Sequence, residues 1–171
     1  MRYRQFRDQR IQELLHSGRW PMESPENCTP GLLELIEEVK PISVLEIGAL
    51  RGVSTELFLL SCKRVLTIDP WELDFIFSLF CENCGHYPHI EIIRGKSPDD
   101  LKQVPNNSYE LAYIDGDHSY EAVQKDLKEA KRICRRIAGH DYNIADVQKA
   151  VDEVGKVKLF SDTSWLITEV Y

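Results

Sequence analysis

Short apolar segments alternate with amphipathic helical segments along most of the chain. Five of the apolar segments are predicted to be strands of a parallel sheet: residues 44–47, 65–68, 90–93, 111–114 and 135–138. Two more strands, 157–160 and 165–170, are separated by only four residues, which is too short for a crossover, so they pair antiparallel. The alternation therefore predicts an α/β fold: a single seven-stranded sheet, mostly parallel, with helices on both faces and a C-terminal antiparallel hairpin.

Helical periodicity places helices between these strands. Apolar residues recur at spacings of three and four in five segments: 30–40, 54–60, 71–81, 120–133 and 144–154. Thr29 and Pro30 are residue types favoured at a helix N-cap and at the first helical position. Residues 1–19 predict one more helix. The chain is therefore expected to comprise an N-terminal helical segment, 1–28, and one α/β domain, 29–171.

Charge and apolar content exclude several classes of protein. The 21 basic and 28 acidic residues give a formal net charge of −7, which disfavours a nucleic-acid partner. The longest apolar run, residues 57–60, is far too short to cross a bilayer, and no leader peptide is recognised. The five cysteines are an odd number in a chain too long for a disulfide scaffold, so reduced thiols and a cytoplasmic location are expected.

Polar or glycine-bearing segments follow every strand of the predicted parallel sheet. In chain order these segments are Glu46-x-Gly48, Asp69, Gly95-x-Ser97, Asp115 and His140-Asp141. Ligands of open α/β sheets collect beyond the carboxyl ends of the strands. We therefore expect one ligand site along this edge of the sheet.

The first two of these segments suggest a nucleotide-like ligand. Gly48 and Gly52 allow a tight turn and a close approach of backbone to ligand, but the G-x-G-x-x-G pattern of dinucleotide-binding loops is absent. Asp69 ends the next strand, where a carboxylate can accept two hydrogen bonds from the hydroxyls of a ribose. The alternative role for Asp69 is the N-cap of the helix that begins near residue 71.

Four motifs together resemble a known family. They are residues 45–60, 68–71, 113–121 (which include Ile-Asp-Gly-Asp-His-Ser-Tyr-Glu) and 139–142. The set resembles class I S-adenosylmethionine-dependent methyltransferases, and among them the small metal-dependent O-methyltransferases of the catechol type. The most similar branch is the bacterial methyltransferase 24 type. The resemblance extends over about residues 29–171. It implies a Rossmann-like methyltransferase fold and an enzyme that uses S-adenosylmethionine and a divalent metal such as Mg or Mn.

The resemblance assigns cofactor contacts to individual residues. It implies that Glu46 and Gly48 line the methionine end of the cofactor and that Ser54 lies beside them. It implies that Asp69 holds the ribose hydroxyls and that Ser97 lies near the adenine. These five residues, with Asp115 from the fourth strand, form the predicted cofactor-binding set.

The resemblance also implies a metal site and a base. Asp115 would be both a catalytic residue and the first metal ligand, with His140 and Asp141 completing the set, although the catechol-type enzymes carry an Asp-Asn pair at the latter two positions. Two carboxylates and one imidazole suit manganese, iron or zinc as well as magnesium. His118 falls where the family has a catalytic lysine, and with an ordinary pKa of about 6.5 it would be neutral at pH 7 and able to accept a proton. The alternatives are packing roles: His140 in the core, and His118 as a helix cap or a partner of Asp117.

The predicted reaction is transfer of a methyl group to a hydroxyl of a small molecule. Two alternatives of other classes stay open: a nicotinamide-dependent oxidoreductase, and a non-catalytic binding module that retains the fold. Sugars, catechol-like phenols and polyketide hydroxyls are all compatible acceptors, and self-association is compatible with the sequence. Four aromatic residues could form either an apolar wall for the acceptor or plain core: Trp71, Phe75, Phe77 and Phe80.

Two local features carry further expectations. Cys81 and Cys84, with His86 and His89, have the spacing of a zinc site, but a single Cys-x-x-Cys is weak evidence, and a helix that ends at Gly85 is preferred.

Two arginines, Arg135 and Arg136, stand in the fifth strand, where apolar residues are expected. The strand is therefore expected to be short, frayed or partly exposed.

Overall fold

The computed structural model describes residues 30–171, so the predicted N-terminal segment 1–28 and the cap residue Thr29 lie outside the described residues. Five α-helices are present in this part of the chain: α1 (Pro30–Val39), α2 (Val53–Ser61), α3 (Asp74–Cys84), α4 (Tyr120–Ile133) and α5 (Ala145–Asp152). Seven strands accompany them: β1 (Ser43–Ile47), β2 (Arg64–Asp69), β3 (Ile90–Arg94), β4 (Tyr109–Ile114), β5 (Cys134–Gly139), β6 (Gly155–Leu159) and β7 (Trp165–Val170).

The seven strands form one sheet in the order β3-β2-β1-β4-β5-β7-β6. Strands β1 to β5 are parallel, and β7 is antiparallel to both β5 and β6. This arrangement confirms the predicted fold class, including the C-terminal hairpin. The strand order reverses between β1 and β4, and such a switch point opens a crevice beyond the carboxyl ends of the two strands.

The core lies in two layers, one on each face of the sheet. Leu35, Phe58 and Phe80, from α1, α2 and α3, belong to the layer on one face. Leu127 and Val151, from α4 and α5, belong to the layer on the other face. The central strands are buried along nearly their whole length because both faces are covered, which explains why most of their residues are apolar.

The helices are short. The longest in the described part of the chain, α4, has 14 residues, whereas a membrane span needs about 20. Among residues 30–171, no helix has the length and hydrophobicity needed to cross a membrane.

Helix α3 begins three residues later than the periodicity predicts. Trp71 has a left-handed backbone with φ of 38°, which is incompatible with the first turn of an α-helix, and the helix starts at Asp74. The helix also ends later than the segment 71–81, at Cys84. Gly85 is its C-cap residue and donates its N–H to the carbonyl oxygen of Cys81, which confirms the expectation of a helix that ends at Gly85.

Strand β5 is longer than expected. It comprises six residues, and its register with β4 extends from Cys134 to Gly139, so the expectation of a short or frayed strand is wrong. The expected exposure is correct for Arg135 and Arg136, whose side chains face solvent. Regular pairing with β4 keeps the strand in place although two of its side chains are charged.

Candidate functional site

A cavity of about 660 Å³ lies beyond the carboxyl ends of the strands, at the switch point between β1 and β4. Eight of the nine predicted site residues line it: Gly48, Ser54, Asp69, Ser97, Asp115, His118, His140 and Asp141. They come from segments up to 93 residues apart in sequence. The fold therefore brings together nearly the whole set that the strand-end pattern and the resemblance single out.

The ninth residue, Glu46, does not line the cavity and is fully buried. Its two carboxylate oxygens accept hydrogen bonds from Ser54 Oγ and Thr55 Oγ1, each at 2.5 Å. Burial raises the pKa of Glu46 to about 7, although these hydroxyl donors oppose the shift. In this structure Glu46 anchors the first turn of α2, and Ser54 stands between it and the cavity.

Gly48 brings the loop after β1 against the loop after β4. Its φ is +88°, a conformation that side-chain-bearing residues rarely adopt, and a Cβ at this position would lie 2.2 Å from the carbonyl oxygen of Asp115. Only glycine allows this approach. Gly48 therefore fixes the position of Asp115, whatever ligand the cavity holds.

The carboxylate of Asp69 is already heavily hydrogen-bonded. Its Oδ2 accepts the backbone N–H groups of Ala49 and Leu50, both at 3.0 Å, and its Oδ1 accepts that of Trp71 at 2.7 Å. Asp69 is not the N-cap of α3, which is Leu73, so this alternative is wrong. Since a carboxylate has about four acceptor positions, about one is left for a ribose hydroxyl, instead of the two that the sequence analysis expected.

Three of the four aromatic residues singled out from the sequence, Trp71, Phe77 and Phe80, pack in the core. The ring of Trp71 packs 4.5 Å from that of Phe80 and 5.0 Å from that of Phe77, measured between centroids. Phe75 is 61% exposed on α3. None of the four lines the cavity, so the structure favours core packing over an acceptor wall.

Three predicted metal ligands converge at one end of the cavity. One ligand atom each from Asp115, His140 and Asp141 lies within 4.8 Å of the others. Burial raises the pKa of Asp115, whereas the imidazoles of His118 and His140, 2.8 and 3.2 Å from the carboxylate oxygens of Asp141, hold the pKa of Asp141 well below its usual range. Nε2 of His140 lies 3.0 Å from Oγ1 of Thr163, within hydrogen-bond distance, so Thr163 helps to hold the imidazole ring in place.

His118 lies against this cluster. Its Nε2 is 2.8 Å from Oδ2 of Asp141 and 3.7 Å from Oδ1 of Asp115. The carboxylates of Asp115 and Asp141 raise the pKa of His118 to about 10, which corrects the assumption that the free imidazole is neutral at pH 7. The helix-cap alternative has no support, because the N-cap residue is Ser119 and its N–H is bound by Asp117.

Asp126 is a cavity residue that sequence reasoning missed. It lies on α4 and is 4% exposed, and its Oδ1 accepts a 2.5 Å hydrogen bond from Ser97 Oγ. Burial raises the pKa of Asp126 to about 6. The available signal was one acidic residue inside the buried stripe of α4, between Val123 and Ala130.

The cysteine–histidine spacing does not form a metal site. Cys84 donates to the carbonyl oxygen of Gly52, and His89 contacts the carbonyl oxygen of Leu59. The Asp115 cluster is the one group of three or more potential metal ligands among residues 30–171. The zinc alternative is therefore wrong.

Comparison with known proteins identifies the family. A protein-family model described as a methyltransferase domain matches residues 45–142, which is more than half of the chain. The chain belongs to this methyltransferase family. The matched range contains the glycine loop, Asp69 and the acid–histidine cluster, which consists of Asp115, His118, His140 and Asp141. Membership confirms the resemblance to class I methyltransferases and decides against a nicotinamide-dependent oxidoreductase.

Solved structures share the fold of this methyltransferase. An O-methyltransferase from Bacillus cereus in complex with SAH has a TM-score of 0.63 and 16% identity, covering 94% of this chain and 90% of its own. A SAM-dependent methyltransferase from Aquifex aeolicus has a TM-score of 0.60 and 16% identity, with coverages of 92% and 95%. The N-methyltransferase NodS from Bradyrhizobium japonicum has a TM-score of 0.55 and 16% identity, with coverages of 79% and 88%. No curated protein sequence matches the chain.

Proposed function

We propose that this methyltransferase transfers the methyl group of S-adenosylmethionine to a hydroxyl of a small molecule, with a divalent metal held by Asp115, His140 and Asp141. The observation that carries the proposal is the arrangement of one cavity. Asp69 and the glycine loop form one part of its wall, and the acid–histidine cluster forms another. A nucleoside-bearing methyl donor and a metal-assisted acceptor would therefore share one enclosed space.

The cavity residues fit the methyl donor. The volume of the cavity, about 660 Å³, lies within the range of small-molecule sites. The loop at Gly48 brings backbone close to the ligand space, and Asp69 keeps an acceptor position for a ribose hydroxyl, while Ser54 and Ser97 line the remaining wall. When bound, S-adenosylmethionine supplies an electrophilic methyl group on a sulfonium.

The acid–histidine cluster fits a divalent cation. Two carboxylates and one imidazole offer the mixed oxygen and nitrogen donors that suit manganese, iron or zinc, and also magnesium. In this structure the imidazolium of His118 supplies the positive charge beside the same carboxylates. When bound, a divalent ion at these ligands lowers the pKa of a hydroxyl next to it.

His118 is the residue that we assign to proton removal. Its Nε2 is buried beside Asp141 and Asp115 at the end of the cavity, so it is placed to receive the proton of an acceptor hydroxyl held against these carboxylates. Asp115 and Asp141 keep this nitrogen protonated as long as their negative charges are unbalanced. Positive charge at their oxygens weakens that effect and frees Nε2 to accept a proton.

The preference for a hydroxyl as methyl acceptor is inferred from the acid–histidine cluster and not from the fold. The N-methyltransferase NodS shares the fold, so topology alone does not choose between oxygen and nitrogen acceptors. An amine that is deprotonated at neutral pH needs neither a metal nor a base, whereas a neutral hydroxyl is a weak nucleophile. Two carboxylates and two imidazoles at the end of the cavity therefore support a hydroxyl acceptor.

The test is a methyl-transfer assay with labelled S-adenosylmethionine and a panel of catechol-like phenols, sugars, polyketide alcohols and amines. We expect transfer to a hydroxyl, loss of transfer after chelation, and its return with Mn²⁺ or Mg²⁺. Transfer only to amines, or transfer that survives chelation, would contradict the proposal. Cofactor binding without transfer to any acceptor would favour the non-catalytic module.

A further inference from the structure

The carboxylate of Asp126 faces the cavity from an apolar helix face. Val123, Leu127 and Ala130 surround it on the buried side of α4, where an apolar side chain would cost less to bury. Helix packing therefore does not account for an ionisable group at this position. Burial raises the pKa of Asp126 to about 6, so the carboxylate is still mostly ionised at pH 7 and above.

The hydrogen bonding of Asp126 leaves acceptor capacity for a ligand. Ser97 Oγ donates to Oδ1, and within residues 30–171 the carboxylate accepts no other hydrogen bond. Its Oδ2 lies 3.9 Å from the position that a Cβ would take on Gly116, another cavity-lining residue. A carboxylate has about four acceptor positions, so most of them stay available.

Ser97, like Asp126, acts toward the cavity only as a hydrogen-bond acceptor. A serine hydroxyl has one proton, and here that proton is directed at Asp126. Ser97 therefore offers only lone pairs to the cavity. Together the two side chains form a corner that accepts hydrogen bonds and donates none, so a complementary ligand presents hydrogen-bond donors such as the N–H groups of an amine.

This corner lies away from the metal cluster. Ser97, to which Asp126 is hydrogen-bonded, follows β3. Asp115, in contrast, follows β4, and His140 follows β5. In the sheet, β2 and β1 lie between β3 and these two strands, so the corner occupies the β3 side of the cavity. The acceptor corner therefore suits a part of the ligand distant from the methyl group.

We propose that Asp126, assisted by Ser97, recognises the 6-amino group of the cofactor's purine and selects adenine over purines that lack this amine. The inference rests on the proposed function, since it names the residue that reads one end of the proposed cofactor. Asp126 is then a specificity-determining residue that accepts an N–H of the amine at its free oxygen.

The test is calorimetric titration with S-adenosylhomocysteine and with its analogue in which hydrogen replaces the 6-amino group. We expect the wild-type protein to bind the amine-bearing ligand about 10- to 150-fold more tightly, the equivalent of one hydrogen bond to a charged group. Asp126→Asn keeps a neutral acceptor and should reduce the preference about tenfold. Asp126→Leu should bring the ratio close to one, while Glu121→Gln, an exposed charge change on the same helix, should leave it unchanged.

The outcomes separate this inference from the proposed function. Wild-type protein that binds S-adenosylhomocysteine but does not discriminate between the ligands would overturn the role of Asp126 and leave the proposed function standing, even if the variants fail to fold. Variants whose affinity for both ligands falls equally would show that Asp126 only holds the loop of Ser97 in place. Wild-type protein that binds neither ligand would overturn both proposals.

Discussion

Nε2 of His118 lies 2.8 Å from Oδ2 of Asp141, so the proposed base and a proposed metal ligand form an ion pair. The pair keeps the imidazole protonated and also compensates the charge of the cluster. Positive charge at Asp141 would therefore weaken the attraction that keeps the proton on His118. The first two predictions follow from this relationship.

His118→Ala should retain the fold and the affinity for S-adenosylhomocysteine but lower turnover by about 10²- to 10⁴-fold, the usual contribution of general acid–base catalysis. Steady-state kinetics on the true acceptor measure this effect. With Mn²⁺ or Mg²⁺ present, where positive charge at the carboxylates opposes protonation of His118, the wild-type rate should also fall on acidification as the imidazole takes up a proton. His86→Ala, at an exposed histidine outside the cavity, is the matched control. Near-normal turnover of the His118 variant would return this residue to a structural role.

Asp141→Asn should weaken Mn²⁺ binding by at least about tenfold, because the variant loses an anionic ligand of the cluster and an amide is a poorer donor to a divalent ion. Electron paramagnetic resonance detects free Mn²⁺, so a titration of the cofactor-free protein monitored in this way measures the affinity directly. Asp152→Asn changes the same charge on the exposed face of α5 and should have no effect. Equal Mn²⁺ affinity in wild type and Asp141→Asn would exclude Asp141 as a ligand.

Glu46→Gln should flatten the pH dependence of stability. The folded protein raises the pKa of Glu46 from 4.5 to about 7, so between these values the native state binds more protons than the unfolded state. The contribution of Glu46 to the unfolding free energy therefore falls as pH rises from about 4 to 8, by about 3 kcal/mol in total. Urea unfolding at several pH values should show wild type losing stability relative to the variant over this range, and parallel profiles would contradict the shift.

Much of this architecture is encoded locally. The apolar strands, the polar residues at their ends and the short turn at 161–164 predict the sheet, its hairpin and eight residues of one cavity, because parallel strands bring their carboxyl ends to one edge. The start of α3 could not be read from periodicity, since the left-handed backbone of Trp71 depends on a hydrogen bond to Asp69. The position of Asp126 depends on which face of α4 packs beside Ser97, a tertiary contact between residues 29 apart.

The elevated pKa of His118 could not be predicted for the same reason. Its cause is the approach of Asp141, which follows another strand and is 23 residues away in sequence. The sequence placed both residues at the same edge of the sheet but gave no distance between them. Electrostatic shifts of this kind depend on separations of a few ångströms.

Gly48→Ala should destabilise the fold by about 2–5 kcal/mol, because it combines a left-handed φ with a clash against the backbone of the Asp115 loop. Urea unfolding measures the loss. Gly116→Ala is the matched control, since a Cβ there meets its nearest neighbour, Ile47, at an ordinary 3.5 Å. Equal stability of the two variants would show that the loop after β1 can move away from Asp115 at little cost.

Calorimetric titration of the wild-type protein and Asp69→Ala with S-adenosylhomocysteine tests the central claim most directly. Asp69 lines the cavity and keeps about one acceptor position for a ribose hydroxyl. We predict micromolar to sub-millimolar binding by the wild type and an affinity about 10- to 150-fold lower for the variant, as expected for loss of a hydrogen bond to a charged group. Normal binding by Asp69→Ala would reject only the ribose contact, whereas no binding by the wild-type protein would contradict its assignment as an S-adenosylmethionine-dependent enzyme.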